Sequence, residues 1–276
     1  MNLFRKAVSG LTACVMCIGI SNVALALENP SDTVFGTLPS SAYILNELQK
    51  GKRSIEVPSR YFEGQQGGLT RENATASYYE AVNQSPYLFH STSFKVTLEG
   101  DKALISRQCY YNEAQEMAMM NATEKEAERI VDSIINDYMT DLDKMKAVYN
   151  YVSNAATYDW DACAAITAPN FIERMHEWVD ASSSYGCLIV GKAVCSGYAQ
   201  AFNLLARKAG LTSLSVTGTD YELNHIWNRC WADGQWYEVD SCNKILCNNA
   251  DEYKQLSGMS LSGKAISSNG AEYMGF

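Results

Sequence analysis

The alternation of hydrophobic and polar positions predicts helices and strands in a mixed order along the chain. Residues 71–84 are predicted to form a short helix. From Leu88 to Tyr111 the pattern changes to the two-residue period of strands, and the turn residues 99–101 separate two such runs. These runs predict a β-hairpin. Residues 27–60, with Pro30, Gly36, Pro39 and Ser-rich stretches, are predicted to be an extended lead-in.

Two helices are predicted in the middle of the chain. Thr123 followed by Glu126 resembles a capping box, which would place the start of the first helix at Thr123. The second helix follows Asp141. Its apolar face would consist of Met145, Val148, Tyr149 and Val152. Segment 159–193 has the least regular pattern, with one helix predicted around Phe171–Val179.

The pattern after position 194 predicts a helix that carries Cys195 in its first turn. Its apolar residues recur at helical spacing, at Ala199, Phe202, Leu205, Ala206 and Ala209. Gly210 is typical of a helix end. Unpaired N–H groups and the helix dipole stabilise an anion at a helix start, and the thiolate is the nucleophilic form of cysteine. The alternative interpretation of Cys195 is a structural cysteine, buried or in a disulfide.

A second β-hairpin is predicted on either side of Asp233-Gly234, a strong turn signal between two alternating runs. With these residues at the tip, His225 would face Cys242 and would lie on the same face as Asp240, diagonally across the hairpin. A carboxylate there can hold one imidazole nitrogen and leave the other for a thiol. The alternative roles are a core histidine for His225 and a strand-end cap for Asp240.

The other two histidines, His90 and His176, have no carboxylate in a predictable register and are interpreted as structural or surface residues. Trp227 and Trp236 are interpreted as core aromatics of the sheet rather than as a surface for stacking substrate.

Composition indicates a globular protein of one large domain, or of one domain with an added subdomain. The 276 residues are 47% hydrophobic and 11% aromatic, unlike a disordered chain. The net charge of −9 argues against nucleic-acid binding, which depends on Lys and Arg.

The sequence shows no Gly-rich phosphate loop and no Cys or His spacing typical of a metal site, so no cofactor and no metal are expected. The sequence does not indicate an oligomeric state.

Residues 1–26 are predicted to be a secretory signal peptide. Arg5 and Lys6 precede an apolar stretch at 11–23, and the small residues near Ala26 fit cleavage after it. Cleavage would change the net charge from −9 to −11, since the segment holds two basic and no acidic residues. The alternatives are a membrane anchor, for which the stretch is short, and a lipoprotein modified at Cys14. No later segment has the roughly 20 apolar residues of a membrane span.

The number of cysteines indicates a free thiol in the exported chain. Of nine cysteines, seven remain after removal of residues 1–26. An odd number in an exported protein leaves one unpaired. If that one is Cys195, six remain for up to three disulfides, and Cys242 and Cys247 are close enough to bridge a small loop.

Three motifs resemble the bacterial transglutaminase-like superfamily. They are Val194-Cys195-Ser196-Gly197-Tyr198-Ala199, His225-x-Trp227-Asn228 and Trp236-Tyr237-x-Val239-Asp240, and the resemblance covers about residues 141–240. It implies an α+β fold with a papain-like core, in which a nucleophile helix packs on an antiparallel sheet, here with an N-terminal α/β extension. It also implies Cys195 as nucleophile, His225 as general base and acid, and Asp240 as the residue that orients His225.

Two features depart from the common pattern of that superfamily. The segment before Cys195 is long and contains cysteines, and Ser241-Cys242 follows Asp240 where an aromatic residue is frequent. Both affect the expected shape of the substrate cleft.

Together these observations divide the chain into a signal peptide (1–26), an N-terminal extension with a hairpin (27–125) and a transglutaminase-like catalytic domain (126–276). The expected function is that of a secreted cysteine enzyme that transfers acyl groups from protein or peptide amides, by protease-like hydrolysis or by transglutamination. The alternative is a non-catalytic extracellular binding or cell-surface module with the same fold. Segment 159–193 and the 17 tyrosines motivate that alternative.

Overall fold

The computed structural model describes residues 38–87, 91–219 and 224–261. The predicted signal peptide, Cys14 and His90 lie outside the described residues. None of the helices in the described ranges is both long and apolar enough to cross a membrane.

The N-terminal part is a small α/β layer with its own apolar core. Its elements are α1 (Pro39–Gln49), β1 (Ser54–Pro58), a 3₁₀ turn (Ser59–Phe62), α2 (Arg71–Gln84), β2 (Ser91–Glu99) and β3 (Lys102–Cys109). The strands form an antiparallel sheet in the order β1-β3-β2. The predictions of α2 and of the β2–β3 hairpin are confirmed. The predicted extended lead-in is wrong from residue 38 onward, because the apolar side chains of α1 and β1 are buried in this core.

Two long helices follow, α3 (Glu113–Ile134) and α4 (Asp141–Ala155). The predicted start of the first helix at Thr123 is wrong. The helix begins after Asn112, which forms a capping box with Gln115, and the Thr123 hydroxyl donates to the Met119 carbonyl inside the helix. The helix therefore runs through the predicted domain boundary at residue 125, and the division into two domains stays a prediction.

Helix α4 confirms the second predicted helix. Its N-cap is Thr140, which forms a capping box with Asp143. Met145, Val148 and Val152 are fully buried, as their helical spacing predicts, and they pack in the main core.

Segment 159–193 folds into short elements beside the main core. They are α5 (Trp160–Ile166), α6 (Met175–Trp178) and a π-helical turn (Gly186–Val190), and β4 (Thr157–Tyr158) pairs in parallel with β5 (Lys192–Ala193). The helix predicted around 171–179 is found only as the short α6. Both helices bury their apolar residues in one small cluster that also includes Val194.

The main core is a helix packed on an antiparallel sheet, which confirms the predicted α+β fold. The helix is α7 (Cys195–Lys208), and the sheet has the order β10-β6-β7-β8-β9. These strands are β6 (Thr212–Thr219), β7 (Asn224–Ala232), β8 (Gln235–Asp240), β9 (Ile245–Cys247) and β10 (Ser260–Leu261), and α8 (Ala250–Ser257) lies between the last two. Residues of α7 such as Phe202 and Leu205 are fully buried with Cys230 and Val239 of the sheet.

The N-terminal layer is attached to this core by buried hydrogen bonds. Gln84 at the end of α2 donates to the Ser215 carbonyl and accepts from the Ser215 N–H, both at 3.0 Å. Arg207 of α7 donates to the Gln84 carbonyl at 2.8 Å. The layer thus packs against the sheet and helix that carry the candidate site.

Candidate active site

Cys195 is the first residue of α7. The N-cap is Val194, whose carbonyl accepts from the N–H groups of Gly197 and Tyr198 at 2.9 and 3.2 Å. The N–H groups of Cys195 and Ser196 have no acceptor within the helix, as at any helix start. Cys195 is partly exposed and is a free thiol. The sequence-based position of this cysteine, in the first turn of a buried helix, is confirmed.

Gly197 allows the start of α7 to approach segment 159–193 closely. A Cβ atom at this position would lie 2.4 Å from the Ala181 carbonyl oxygen and 3.0 Å from that of Ser183. The N–H of Val194 also donates to the Ala181 carbonyl at 2.8 Å. The glycine of the Cys195 motif is therefore required by packing, and the long segment before the motif supports the helix start.

His225 and Asp240 meet at the open end of the β7–β8 hairpin. The strands pair with Asn228 opposite Val239 and Ala232 opposite Gln235, the register that a turn at Asp233-Gly234 predicts. Nε2 of His225 lies 2.8 Å from Oδ2 of Asp240. The two residues are 3% and 1% exposed, so the pair is closed to bulk water.

The Cys195 thiol lies within hydrogen-bonding reach of the His225 ring. Because Nε2 faces Asp240, the other ring nitrogen, Nδ1, is left for the thiol. Burial lowers the pKa of His225, but the Asp240 carboxylate and the Cys195 sulfur outweigh burial and raise this pKa to about 10. For Asp240, burial alone would raise the pKa. The charge of His225 and the hydrogen bonds that Asp240 accepts have a larger effect, so the pKa of Asp240 is lowered. The site favours an imidazolium beside a carboxylate.

Two further residues bind Asp240, and sequence reasoning missed both. The backbone N–H of Asn243 donates to Oδ1 at 3.0 Å, and its side-chain amide donates to Oδ2 at 2.8 Å. The Tyr253 hydroxyl donates to Oδ2, also at 2.8 Å. Asp and Asn are both common in turns, where their side chains bond to nearby backbone groups, so Asn243 has a weak local signal. Tyr253 has no such signal, because α8 brings it back from 13 residues away.

Asn228 links the nucleophile helix to the strand that carries His225. Its side-chain amide donates to the Ala199 carbonyl at 3.0 Å and to Oδ1 of Asn203 at 2.9 Å. Asn203 in turn donates to the Ser215 hydroxyl at 2.7 Å. The asparagine of the second motif thus fixes α7 relative to β7, and with it the separation of Cys195 and His225.

Tyr158 lies near the nucleophile, and the ring of Trp160 packs beside that of Tyr158, with centroids 4.6 Å apart. Burial and the neighbouring Cys195 raise the pKa of Tyr158, whose hydroxyl donates to the Cys163 sulfur at 3.4 Å. Trp160 is exposed. An aromatic pair therefore lies near the site, within the stretch 141–240 that the family resemblance covers.

The cysteines around the site are thiols in this structure. Burial raises the pKa of Cys163, of Cys242 and of Cys187, the last to about 12, and this favours their neutral form. All seven cysteines in the described ranges are free. The disulfides predicted from their number, including a Cys242–Cys247 bridge, stay a prediction.

The remaining predicted residues have structural positions. His176 is exposed on α6 beside Glu177. Trp227 is fully buried, its indole N–H donates to Glu238 at 2.6 Å, and its ring stacks on Tyr253. Trp236 packs edge-to-face against Trp231. Within the described ranges no group of three or more His, Cys, Asp or Glu side chains is arranged to hold a metal ion.

Comparison with known families matches the part of the chain that contains this site. Residues 128–241 fit the model of the transglutaminase-like superfamily. This part of the chain is similar to transglutaminase-like domains. The match includes Cys195, His225 and Asp240, and it confirms the resemblance that the three motifs indicated.

Individual relatives of the transglutaminase-like domain are distant. Human kyphoscoliosis peptidase is 26% identical over an alignment 126 positions long, which covers 41% of this chain and 17% of that protein. The mouse protein of the same name is 24% identical over an alignment 124 positions long, which also covers 41% of this chain and 17% of that protein. A crystal structure of a TGase is 19% identical and covers 58% of this chain and 46% of its own, with a TM-score of 0.35. The match thus spans about a sixth of the length of the curated relatives.

Proposed function

We propose that this protein is a cysteine-dependent acyl-transfer enzyme that acts on protein or peptide amides. The observation that carries the proposal is the position of His225, which binds Asp240 through Nε2 at 2.8 Å and has the Cys195 thiol within reach of its ring. A nucleophile, a base and a group that orients the base are the parts that covalent catalysis of acyl transfer requires.

In the proposed reaction, Cys195 gives its proton to Nδ1 of His225 and its sulfur attacks the amide carbonyl carbon. The N–H groups at the start of α7 face the developing oxyanion. The C–N bond breaks, His225 protonates the leaving amine, and an acyl thioester remains on Cys195. Water or a primary amine then attacks this thioester, His225 accepts its proton, and the Cys195 sulfur leaves. Water as acceptor gives hydrolysis, and a lysine amine gives a cross-link.

The distribution of exposure fits this division of roles. Cys195 is partly exposed, whereas His225 and Asp240 are buried. A substrate therefore reaches the sulfur without reaching the charged pair, which stays in an environment where its electrostatic interaction is strong. A non-catalytic module has no need of a free thiol beside a buried imidazolium, so the geometry favours the enzyme.

We further propose that hydrolysis is the main reaction and that the protein is exported after cleavage at Ala26. The relatives named peptidase support the first point, and the charged and apolar pattern of residues 1–26 supports the second.

A peptide mixture with and without an added amine tests the proposed activity. Wild-type protein is incubated with a tryptic digest of casein in the presence of a fluorescent alkylamine, and Cys195→Ala serves as the control. New peptide termini that depend on Cys195 indicate hydrolysis, and amine incorporated at glutamine indicates transglutamination. Identical products from wild type and Cys195→Ala would contradict an acyl-transfer function for this site on peptides.

A further inference from the structure

We propose that Tyr253 is a positioning residue of the active site, whose hydroxyl holds the Asp240 carboxylate in the orientation that binds His225. The inference rests on the proposed function, since it assigns a role within that site. Tyr253 lies beyond residues 128–241, the part that matches the family model. Helix α8 would therefore complete a site that the family motifs alone do not.

Helix α8 buries a single side chain, and that side chain is Tyr253. Asn249 caps the start of the helix by accepting from the Glu252 N–H, and Gly258 ends it with a left-handed backbone. The other residues of the helix are exposed or partly exposed, whereas Tyr253 is 1% exposed. A short polar helix with one buried residue is held in place chiefly by that residue, so its position and that of the hydroxyl depend on each other.

The hydroxyl is one of three donors to the same carboxylate oxygen. Oδ2 of Asp240 accepts from His225, from the Asn243 amide and from Tyr253, each at 2.8 Å. An ionised carboxylate only accepts, so the tyrosine must donate. Burial and the Asp240 charge raise the pKa of Tyr253, which keeps the proton on its hydroxyl. The donors leave Oδ2 little freedom to rotate away from His225.

The ring of Tyr253 also contributes to the position of His225, through its contact with Trp227. It stacks on Trp227, with ring centroids 4.5 Å apart and planes 22° apart. Trp227 lies nearly parallel to the His225 ring, at 6.0 Å and 16°. Replacement by phenylalanine would keep this stack and remove only the hydroxyl, so the two contributions can be separated.

Loss of the hydroxyl is expected to weaken the support of His225 by Asp240. The imidazolium is then stabilised less, and it in turn stabilises negative charge on the Cys195 sulfur less, so the sulfur reacts more slowly. Removal of one hydrogen bond to a charged group is expected to slow thiolate reactions about tenfold near neutral pH. The titratable groups that face Asp240, besides His225 and Tyr253, are Tyr149 of α4, Cys242 and Cys247. None of them is altered by Tyr253→Phe.

The test is the rate of Cys195 alkylation by iodoacetamide between pH 5 and 9, measured on the Cys195 peptide by mass spectrometry. We expect Tyr253→Phe to react about tenfold more slowly than wild type at pH 7 and to show its rise in rate at higher pH. The matched control is Tyr78→Phe, which removes another buried hydroxyl, bonded to Ser91 at 2.7 Å in the N-terminal layer. Its alkylation profile is expected to overlay that of wild type.

A double variant separates positioning from a general loss of stability. If Tyr253 acts through Asp240, then Tyr253→Phe combined with Asp240→Asn reacts at the rate of Asp240→Asn alone. Full additivity, or a Tyr253→Phe profile equal to that of wild type, would overturn the inference and leave the proposed function intact. A wild-type Cys195 that reacts no faster than the other cysteines would instead count against the proposed function.

Discussion

Nε2 of His225 lies 2.8 Å from Oδ2 of Asp240, although the two residues are 15 positions apart on neighbouring strands. The hairpin turn at Asp233-Gly234 fixes the register that brings them together, with Asn228 opposite Val239. A slip of one residue would place the two side chains on opposite faces of the sheet. The contact between His225 and Asp240 therefore depends on the hairpin turn as well as on the residues of the site.

Replacement of Asp240 by asparagine is expected to lower kcat/KM about 10²-fold or more. Asparagine has the same shape but no charge, and its NH₂ group would face a donor, because both carboxylate oxygens of Asp240 now accept hydrogen bonds. Steady-state kinetics on the peptide found in the casein digest measures the effect. Asp132→Asn, at an exposed position of α3, is the control. Equal loss in both variants would contradict the assigned role.

The stability of the protein is expected to fall as the pH rises from about 6.5 to about 10, in a way that depends on His225. The ordinary pKa of histidine is about 6.5, and the pKa of His225 in the folded chain is about 10. The folded state therefore binds the proton more tightly. This contribution is complete below the lower value and is lost as the pH rises through the higher one.

Urea unfolding at pH 6.5 and pH 10 measures this contribution in wild type and in His225→Gln. Wild type should lose more free energy of unfolding than the variant between these values, by at least about 1.4 kcal/mol, which is a tenfold change in proton affinity. Parallel losses in the two proteins would show that the His225–Asp240 pair does not carry the pH dependence.

Asn228→Ala is expected to destabilise the fold by about 1–3 kcal/mol, because it removes the two buried hydrogen bonds that the side-chain amide donates to the Ala199 carbonyl and to Oδ1 of Asn203. It should also lower kcat, since α7 and β7 carry the nucleophile and the base. Asn150→Ala, at an exposed position of α4, should change stability by less than about 0.5 kcal/mol. Thermal and urea unfolding of both variants checks the first expectation, and turnover checks the second.

Gly197→Ala is expected to cost about 1–3 kcal/mol, because the new methyl group would overlap the Ala181 carbonyl oxygen. The neighbouring change Ser196→Ala adds no atoms and should be close to neutral. Unfolding curves for the two variants measure the difference. If Gly197→Ala were as stable as Ser196→Ala, the close packing of α7 on segment 159–193 would be wrong.

The elements that local signals define could be predicted from the sequence. The nucleophile helix, the β7–β8 hairpin and the approach of His225 to Asp240 follow from apolar spacing, a strong turn and strand register. The start of α3 was misplaced because Thr123 has the residue type of a cap but lies inside a helix that is already capped by Asn112. Helix α1 was missed because Pro39 and the two serines after it are typical of a loop, whereas burial of the apolar residues of α1 determines the structure.

The rest of the site depends on contacts between distant segments. Tyr253 reaches Asp240 through the packing of α8, and Tyr158 reaches Cys195 through the β4–β5 pair. Tyr253 has no local sequence signal, and Tyr158 is indicated only as part of the family resemblance. Gly197 could be recognised from the sequence as part of the Cys195 motif. The reason for a glycine could not, because the backbone carbonyls that leave no room for a Cβ atom lie in segment 159–193, the part with the least regular pattern.

Site-resolved alkylation of the cysteines most directly tests the claim that Cys195 is an activated nucleophile. Native protein is treated briefly with iodoacetamide at pH 7, and the label on each of the seven cysteines outside residues 1–26 is quantified by mass spectrometry. We expect Cys195 to react at least about tenfold faster than the others, and we expect His225→Ala to remove this difference. Equal labelling of Cys195 and the buried cysteines, or a rate that His225→Ala leaves unchanged, would contradict the claim.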